Sequence, residues 1–214
     1  MKKSTLLLLA ALVITTGLRC RAQSFDGGVT AGLVTSQING DGYGGFHQLG
    51  WTAGFFGRIP TDGAGSWQAE LKYSLFGSHS SADEVIHGMN PMSIRLHYVE
   101  LPLMYRYNLS GINISGTKLD FITLEIGLSN DFLIRGTQSA NFEDAMDNSS
   151  WVFYSLTANA GLQFDINEQL GVNIRSMNNL TPCRFKPEVP IFSWLHYYNI
   201  ALQATVVYTI IHAD

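Results

Sequence analysis

Charged side chains recur at alternate positions inside otherwise apolar segments of this 214-residue sequence. The segments "WQAELKYSLF" and "YVELPLMYRY" each carry one carboxylate and one cation. Four cations and four carboxylates of this kind suggest an ion-pair network, because charges in a low-dielectric interior are tolerable only when paired and hydrogen-bonded. We interpret them as a plug of salt bridges, with a narrow polar conduit as the alternative. The residues are Arg58, Glu70, Lys72, Glu100, Arg106, Glu125, Asp165 and Arg175.

A second candidate for chemistry is the pair His97 and Glu100, which lie close together in the sequence. An enzyme that hydrolyses lipid could use such a pair together with a serine nucleophile. No serine-centred motif accompanies the pair, so we assign no catalytic residue. A lipid hydrolase or acyltransferase stays open as an alternative function.

Two polar stretches have compositions that could bind a ligand. The glycine-rich stretch "NGDGYGGF", residues 39–46, lacks the Lys-Ser/Thr pair and the following helix of a phosphate-binding loop. Asp83, Glu84 and His87 could bind a metal ion, but three polar residues in a long loop are more often solvated. We therefore expect surface loops there, and no metal or cofactor.

The elements that carry these residues alternate apolar and polar side chains with a period of two, which is typical of β-strands with one apolar face. In "WQAELKYSLF", Trp67, Leu71 and Leu75 share one face while the charged residues share the other. Segments of about 9–11 residues with this pattern can cross a bilayer as tilted strands. The apolar faces of the other regular segments begin at Phe25, Leu49, Ile122, Val152, Leu170 and Tyr198 and continue at alternate positions.

One segment, "IRLHYVELPLMYRY", does not keep a single apolar parity. Ile94, Leu96 and Tyr98 share one parity, whereas the apolar residues from Val99 onward have the other. We predict a β-bulge near Tyr98–Val99 that brings both sets to the apolar face of the strand. Pro102 lacks the N–H that a ladder needs, so it should lie at or near this irregularity.

The N-terminus indicates export. "MKKSTLLLLAALVITTG" has a basic start and a short apolar run, which is typical of a secretory signal peptide. We expect residues 1–22 to be removed by cleavage after Ala22, which leaves one domain over residues 23–214. That domain contains no apolar run of the roughly 18 residues that a transmembrane helix needs. Its slightly acidic balance and lack of a basic run argue against nucleic acid as a partner.

An exported chain without such a helix can still span a membrane as a closed β-barrel. The predicted connections alternate between long and short, which is typical of outer-membrane barrels with both termini in the periplasm. We therefore predict an all-β fold, an eight-stranded antiparallel up-and-down transmembrane β-barrel in the outer membrane of a Gram-negative bacterium. Long connections are expected near residues 36–47, 78–92, 136–149 and 178–192, and short ones near 60–65, 109–117 and 166–169.

A soluble, lipocalin-like ligand-binding barrel has the same period but turns its apolar face inward. The alternation alone does not decide between the two architectures. Tryptophan and tyrosine residues near the predicted strand ends, such as Trp51, Trp67, Tyr107 and Tyr208, favour the membrane barrel because these side chains form interfacial girdles.

The segments "GGVTAGLVTSQINGDGYGGFHQLGWTAGFF", "WQAELKYSLFGS" and "HYVELPLMYRY" resemble the PorT-like outer-membrane β-barrel family of Bacteroidetes. The resemblance runs from about Phe25 to the C-terminus and implies an eight-stranded outer-membrane barrel. The namesake of the family is linked to protein secretion and cell-surface assembly. We therefore expect a non-enzymatic barrel in contact with outer-membrane lipid, whose extracellular loops bind a partner or serve envelope or secretion assembly.

Overall fold

The computed structural model describes residues 25–61, 63–114, 117–140, 143–145, 151–187, 189–191 and 193–212. The predicted signal peptide lies outside the described residues. Among the described residues, no helix is long and apolar enough to cross a membrane. The elements are β1 (Asp26–Asn39), β2 (Gln48–Pro60), β3 (Gly65–His79), α1 (Ala82–Ile86), β4 (Met92–Ile114), β5 (Thr117–Ala140), β6 (Glu143–Ala145), β7 (Tyr154–Asp165), β8 (Leu170–Asn179) and β9 (Tyr198–His212).

Eight of the strands form one closed antiparallel sheet. Strands β1 to β5 pair in sequence order, β5 pairs with β7, and the pairing continues through β8 to β9. The ring closes because β1 also pairs with β9, with Leu33 opposite both Trp51 and Ala204. The short strand β6 only extends the edge of β5. The predicted eight-stranded up-and-down barrel is confirmed.

The outer wall of the barrel is apolar and the lumen is largely polar. Leu49 and Phe55 on β2 and Ile126 on β5 expose about two-thirds of their surface on the outside. Thr52 on β2 and Glu125 on β5 are buried in the lumen. This alternation matches the predicted parity of those segments. The apolar side chains face outward, which is the reverse of a soluble ligand-binding barrel.

The connections differ in length at the two ends of the barrel. We call the end at which long connections join β1 to β2, β3 to β4 and β8 to β9 the loop end. The opposite end, with the short connections 61–64 and 166–169, is the turn end.

One predicted connection is shorter than expected. Of the predicted residues 109–117, those up to Ile114 belong to β4 and Thr117 begins β5. The two strands remain paired beyond the rest of the barrel at the turn end, with register shifts after Asn108 and Leu109.

The predicted bulge in β4 is wrong. Ile94, Leu96 and Tyr98 are at most 2% exposed and point into the lumen, with the same parity as Glu100. The strand therefore keeps one parity from Ile94 to Arg106. Pro102 also points inward, and the pairing of β3 with β4 has one register on both sides of it.

The irregularity lies in the neighbouring strand. His97 pairs with Arg135 and Tyr98 pairs with Leu133, so Ile134 is one extra residue in β5. Such a bulge leaves two successive residues on the same side of the sheet. Ile134 and Arg135 are accordingly both exposed on the outer wall, whereas Leu133 is buried in the lumen.

The inward-pointing apolar residues pack together across the lumen near the loop end. They form one cluster that also includes Val34, Met177 and Ala201. A cluster of this kind contributes the hydrophobic and packing energy of an ordinary protein core. We call this region the apolar half of the lumen and define it by Ile38, Phe76, Ile94, Leu96, Tyr98 and Leu133.

Candidate functional site

Arg175 on β8 lies at the centre of the polar lumen. Its guanidinium donates two hydrogen bonds of 2.9 and 2.8 Å to the carboxylate of Glu70 on β3. The same group donates to Glu125 on β5, with 2.9 Å between Nη2 and Oε2. All three side chains are at most 3% exposed. The planar guanidinium thus joins three strands across the lumen, in the bidentate geometry that makes Arg–carboxylate pairs strong.

Arg106 on β4 forms the next pair in the network. Its Nε lies 2.9 Å from Oε1 of Glu125, so that this carboxylate is shared by two guanidinium groups. Arg106 also donates to the side-chain oxygen of Gln68 at 2.6 Å, and Gln68 in turn donates to Glu70 at 2.7 Å. Gln68 therefore connects the two halves of the network, although the sequence identified only its charged neighbours.

Lys72 on β3 completes the buried network. Its Nζ lies 3.3 Å from both Glu70 and Glu100 and 3.1 Å from the side-chain oxygen of Gln203 on β9. Three acceptors match the three protons of an ammonium group. Gly54 is opposite Lys72 on β2, and a Cβ there would lie 2.7 Å from the Lys72 Cγ. The glycine therefore leaves the volume that the lysine stem occupies.

Arg58 on β2 joins this network through Gln68, because its Nε and Nη2 each donate a hydrogen bond of 3.1 Å to the side-chain oxygen of Gln68. Arg58 forms a 3.6 Å ion pair with Asp26, and both are partly exposed at the mouth of the turn end. Asp165 accepts hydrogen bonds from the side chains of Gln163 and Thr123. Ion pairs thus join six of the eight residues, and Arg58 is attached to them through Gln68. We call the six the charged half of the lumen: Glu70, Lys72, Glu100, Arg106, Glu125 and Arg175.

The sequence analysis missed one buried carboxylate, Asp131 on β5. It pairs directly with Glu100 on β4 and is 3% exposed. Its two oxygens accept hydrogen bonds from the hydroxyls of Ser129 and Thr157. The apolar alternation that begins at Ile122 is interrupted at Asn130, so the inward parity was not followed to residue 131. Hydroxyl donors, rather than a cation, are the direct partners of this carboxylate.

His97 and Glu100 do not form a catalytic pair. They have opposite parity on β4, so His97 points to the outer wall while Glu100 is fully buried in the lumen. The Nδ1 of His97 lies 2.7 Å from the hydroxyl of Tyr73, another outward residue. A general base and a nucleophile must lie within hydrogen-bond reach of each other. The two side chains therefore cannot act on the same substrate molecule.

The connections at the loop end are hydrogen-bonded to one another. In the β1–β2 connection, the Tyr43 hydroxyl donates to the backbone oxygen of Asn90 at 2.8 Å, and the Gly44 N–H donates to Glu84 at 2.8 Å. The hydrogen bonds to Gly44 and Ser81 lower the pKa of Glu84 below its ordinary value. Glu84 thus caps α1 and clamps the adjacent loop.

Other polar loop residues have structural surroundings. His87 lies 3.6 Å from Asp83 within α1 and its C-terminal turn, and both are exposed. In the part of the chain that the structure describes, no three His, Cys, Asp or Glu side chains are grouped as metal ligands. Cys183 in the β8–β9 connection is fully buried, and burial raises the pKa of its thiol to about 12.

Comparison with known proteins identifies the family of this barrel. The model of the family described as "Outer membrane protein beta-barrel domain" matches residues 21–183. The chain therefore belongs to that family, and it is an outer-membrane β-barrel protein. A search of curated proteins found no match.

Solved structures with a similar fold include two small bacterial surface proteins. Neisserial surface protein A is 10% identical, with a TM-score of 0.51 over 87% of this chain and 97% of that chain. Ail, the attachment invasion locus protein of Yersinia pestis, is 13% identical, with a TM-score of 0.49 over 86% of this chain and 98% of that chain. At these identities the likeness concerns the fold.

Proposed function

We propose that the chain is a non-enzymatic barrel with a filled lumen, and that its loop end binds a protein of the cell envelope or of the secretion machinery. This proposal includes a cleaved signal peptide at residues 1–22 and membership of the PorT-like group in Bacteroidetes, on the basis of the sequence resemblance. It also places the termini in the periplasm and the loop end outside the cell, as the unequal connection lengths indicate.

The observation that carries the proposal is an apolar patch on the ordered loops. Ile86 of α1 is 80% exposed, and Phe46, Val85 and Met89 in the two hydrogen-bonded connections each expose 37% of their surface. Helix α1 buries none of its residues. Its position is nevertheless fixed, because Glu84 and Asn90 are hydrogen-bonded to the β1–β2 connection. Exposed apolar patches on an ordered surface typically mark sites of protein association.

The contents of the lumen support binding rather than transport. In an eight-stranded barrel the interior is just wide enough for its own side chains. Five inward residues at successive levels along the lumen are each at most 3% exposed: Gln68, Lys72, Glu100, Leu96 and Ile38. We therefore expect the purified protein to form no stable conducting pore in planar bilayers, and regular stepwise currents would contradict this part of the proposal.

The geometry also removes the basis of the lipid-hydrolase alternative. That alternative depended on His97 and Glu100 acting together, and the wall of the barrel separates them. The buried polar side chains described above are hydrogen-bonded or ion-paired to side chains of other strands.

The test is photo-cross-linking in intact cells with a photoreactive amino acid at Ile86, followed by identification of the cross-linked protein. We expect one discrete adduct at Ile86, and we expect it to be absent with the photoreactive residue at Asn167 on the turn end. A Val85→Asp change should weaken the Ile86 adduct while heat-modifiable gel mobility stays unchanged. An identical pattern of adducts at Ile86 and Asn167 would contradict the proposal.

A further inference from the structure

We propose that the outer wall of β4 and β5 binds the phosphate of a lipid headgroup in the leaflet at the loop end. Three basic side chains meet there, which we call the basic cluster: Arg95, His97 and Arg135. His97 is directly opposite Arg135, and Arg95 is two residues farther along β4 with the same outward parity. Opposite residues of an antiparallel pair have Cβ atoms about 4.5–5.5 Å apart. The cluster therefore presents two exposed guanidinium groups and an imidazole on one small area of the wall.

The bulge in β5 brings Arg135 into the basic cluster. Asp131 and Leu133 both point into the lumen, so residue 135 of a regular strand would point inward as well. Because Ile134 is an extra residue in the ladder, Arg135 instead faces outward beside His97. Bulges often re-aim a side chain in this way next to functional sites.

The hydroxyl of Tyr73 on β3 orients the imidazole of His97. It lies 2.7 Å from Nδ1 of His97. When Nδ1 accepts this hydrogen bond, the imidazole carries its proton on Nε2, which is then a donor on the other side of the ring. Guanidinium groups match phosphate oxygens in two-point contacts. The basic cluster therefore supplies N–H donors from three side chains to one anion.

No acidic residue occurs in the described strand segments around the basic cluster, which are residues 73–79 of β3, 93–99 of β4 and 132–139 of β5. The acidic residues of β6 are opposite Ser139 and Ala140, four and five positions beyond Arg135 toward the loop tips. The positive charge of the cluster is therefore not neutralised by a neighbour within these segments, and it attracts an anionic group.

Aromatic residues indicate that the basic cluster lies at the level of the headgroups. One row of paired residues crosses four strands next to the cluster, on the side of the turn end: Tyr73, Val99, Phe132 and Tyr154. Aromatic girdles of this kind lie at the membrane interfaces of outer-membrane barrels. From this row toward the turn end, the outward residues of β4 up to Tyr107 are apolar or aromatic.

The spacing along the strand agrees with the thickness of the headgroup layer. A strand rises about 3.3 Å per residue, which a tilt of about 40° reduces to about 2.5 Å along the membrane normal. His97 therefore lies roughly 5 Å beyond Val99, inside a headgroup layer that is about 5–8 Å thick. This position decides the occupant, since the phosphate of a lipid lies in that layer and its acyl chains lie below it.

The first test is native mass spectrometry of the folded protein, with phosphatidic acid as the anionic probe and phosphatidylcholine as the zwitterionic one. We expect phosphatidic acid to bind more tightly. Arg95→Gln and Arg135→Gln should each weaken its binding about fivefold, as the loss of one basic residue near an anionic surface does. The matched change Lys118→Gln, at an exposed position of the turn end, should leave it unchanged. Equal affinity of the wild type for the two lipids, or the same loss in Lys118→Gln, would overturn the proposal.

The second test uses the wild-type protein in liposomes and separates a lipid from free phosphate. A phospholipid with a photoreactive group on its headgroup should attach to peptides that contain Arg95 or Arg135, as mapped by mass spectrometry. Excess inorganic phosphate should leave this attachment in place, because the acyl chains hold the lipid beside the wall. Loss of the attachment in inorganic phosphate would indicate a site for soluble phosphate, and no attachment to β4 or β5 would indicate a surface in contact with water. Either result would overturn the proposal.

Discussion

The charged half of the lumen is filled by ion-paired side chains and the apolar half by a hydrophobic cluster. The polarity of the outer wall differs between the two halves as well. On β4, Val99, Leu101 and Leu103 face outward beside inward Glu100 and Arg106. Nearer the loop end, Arg95 and His97 face outward beside inward Leu96. The strand therefore reverses its polarity along its length without changing its parity.

Strand β1 shows the same reversal. Ala31 faces outward beside inward Thr30, whereas Thr35 and Gln37 face outward beside inward Val34 and Ile38. A wall in lipid must be apolar outside, and polar side chains then fill the lumen. A wall in water can be polar outside and can bury an apolar core, as in a soluble barrel. We infer that the bilayer ends near the boundary between the two halves.

The largest effect is expected in the charged half. Arg175→Met leaves Glu70 and Glu125 without their shared guanidinium, and an uncompensated buried charge typically costs about 3–5 kcal/mol. The free energy of unfolding in denaturant, measured in lipid vesicles, should fall by this amount. A loss below about 1 kcal/mol, the typical value for an exposed ion pair, would mean that the lumen is hydrated at this level.

A slightly smaller effect is expected in the apolar half. Leu96→Ala should cost about 2–5 kcal/mol because it leaves a cavity in a packed cluster. Leu101→Ala on the lipid-facing side of the same strand is the matched control. Its cost should be lower, since lipid chains can fill the space. The reverse order in unfolding measurements would indicate that Leu96 faces lipid.

Charges introduced on the outer wall distinguish the level of the charged half from the level of the apolar half. Leu124→Arg should cost about 2–4 kcal/mol, as a charge near the bilayer midplane does. Gln37→Arg, also outward but beside the apolar half, should change stability little, and Thr123→Ser in the lumen should be mild. Equal destabilisation by Leu124→Arg and Gln37→Arg would contradict a polarity boundary between them.

The smallest effect is expected at the hydrogen bond between Glu84 and Gly44, which joins two loops outside both halves of the lumen. The pKa of Glu84 is lowered by the N–H groups of Gly44 and Ser81. The stabilisation that the ionised Glu84 side chain contributes is therefore present above the unfolded-state pKa of about 4.3. It is lost as the pH falls through the lowered pKa of the folded state. The Gly44 amide resonance should shift in that acidic range. In Glu84→Gln this shift should disappear, and an unchanged titration would assign it to another group.

The barrel could be predicted from the sequence because period-two alternation recurs in every wall strand. Glu70, Lys72 and Glu125 were predicted to be interior on this basis, and each is buried. The rule failed for Ile94 and Leu96, since it equated apolar with lipid-facing along the whole strand. It holds only where lipid surrounds the wall. The partners of the charged residues also depend on the stagger of the strands around the barrel. Arg175 on β8 and Glu70 on β3 are four strands apart in either direction around the ring, so neither segment alone predicts their contact.

The polarity reversal on β4 can be measured with nitroxide labels placed one at a time at Arg95, His97, Val99, Leu101 and Leu103 in the reconstituted protein. Collision with oxygen, which concentrates in lipid, is compared with collision with a water-soluble nickel complex. The account predicts that labels at Val99, Leu101 and Leu103 are accessible to oxygen, and that labels at Arg95 and His97 are accessible to nickel. Oxygen accessibility that continues unchanged through His97 and Arg95 would contradict it.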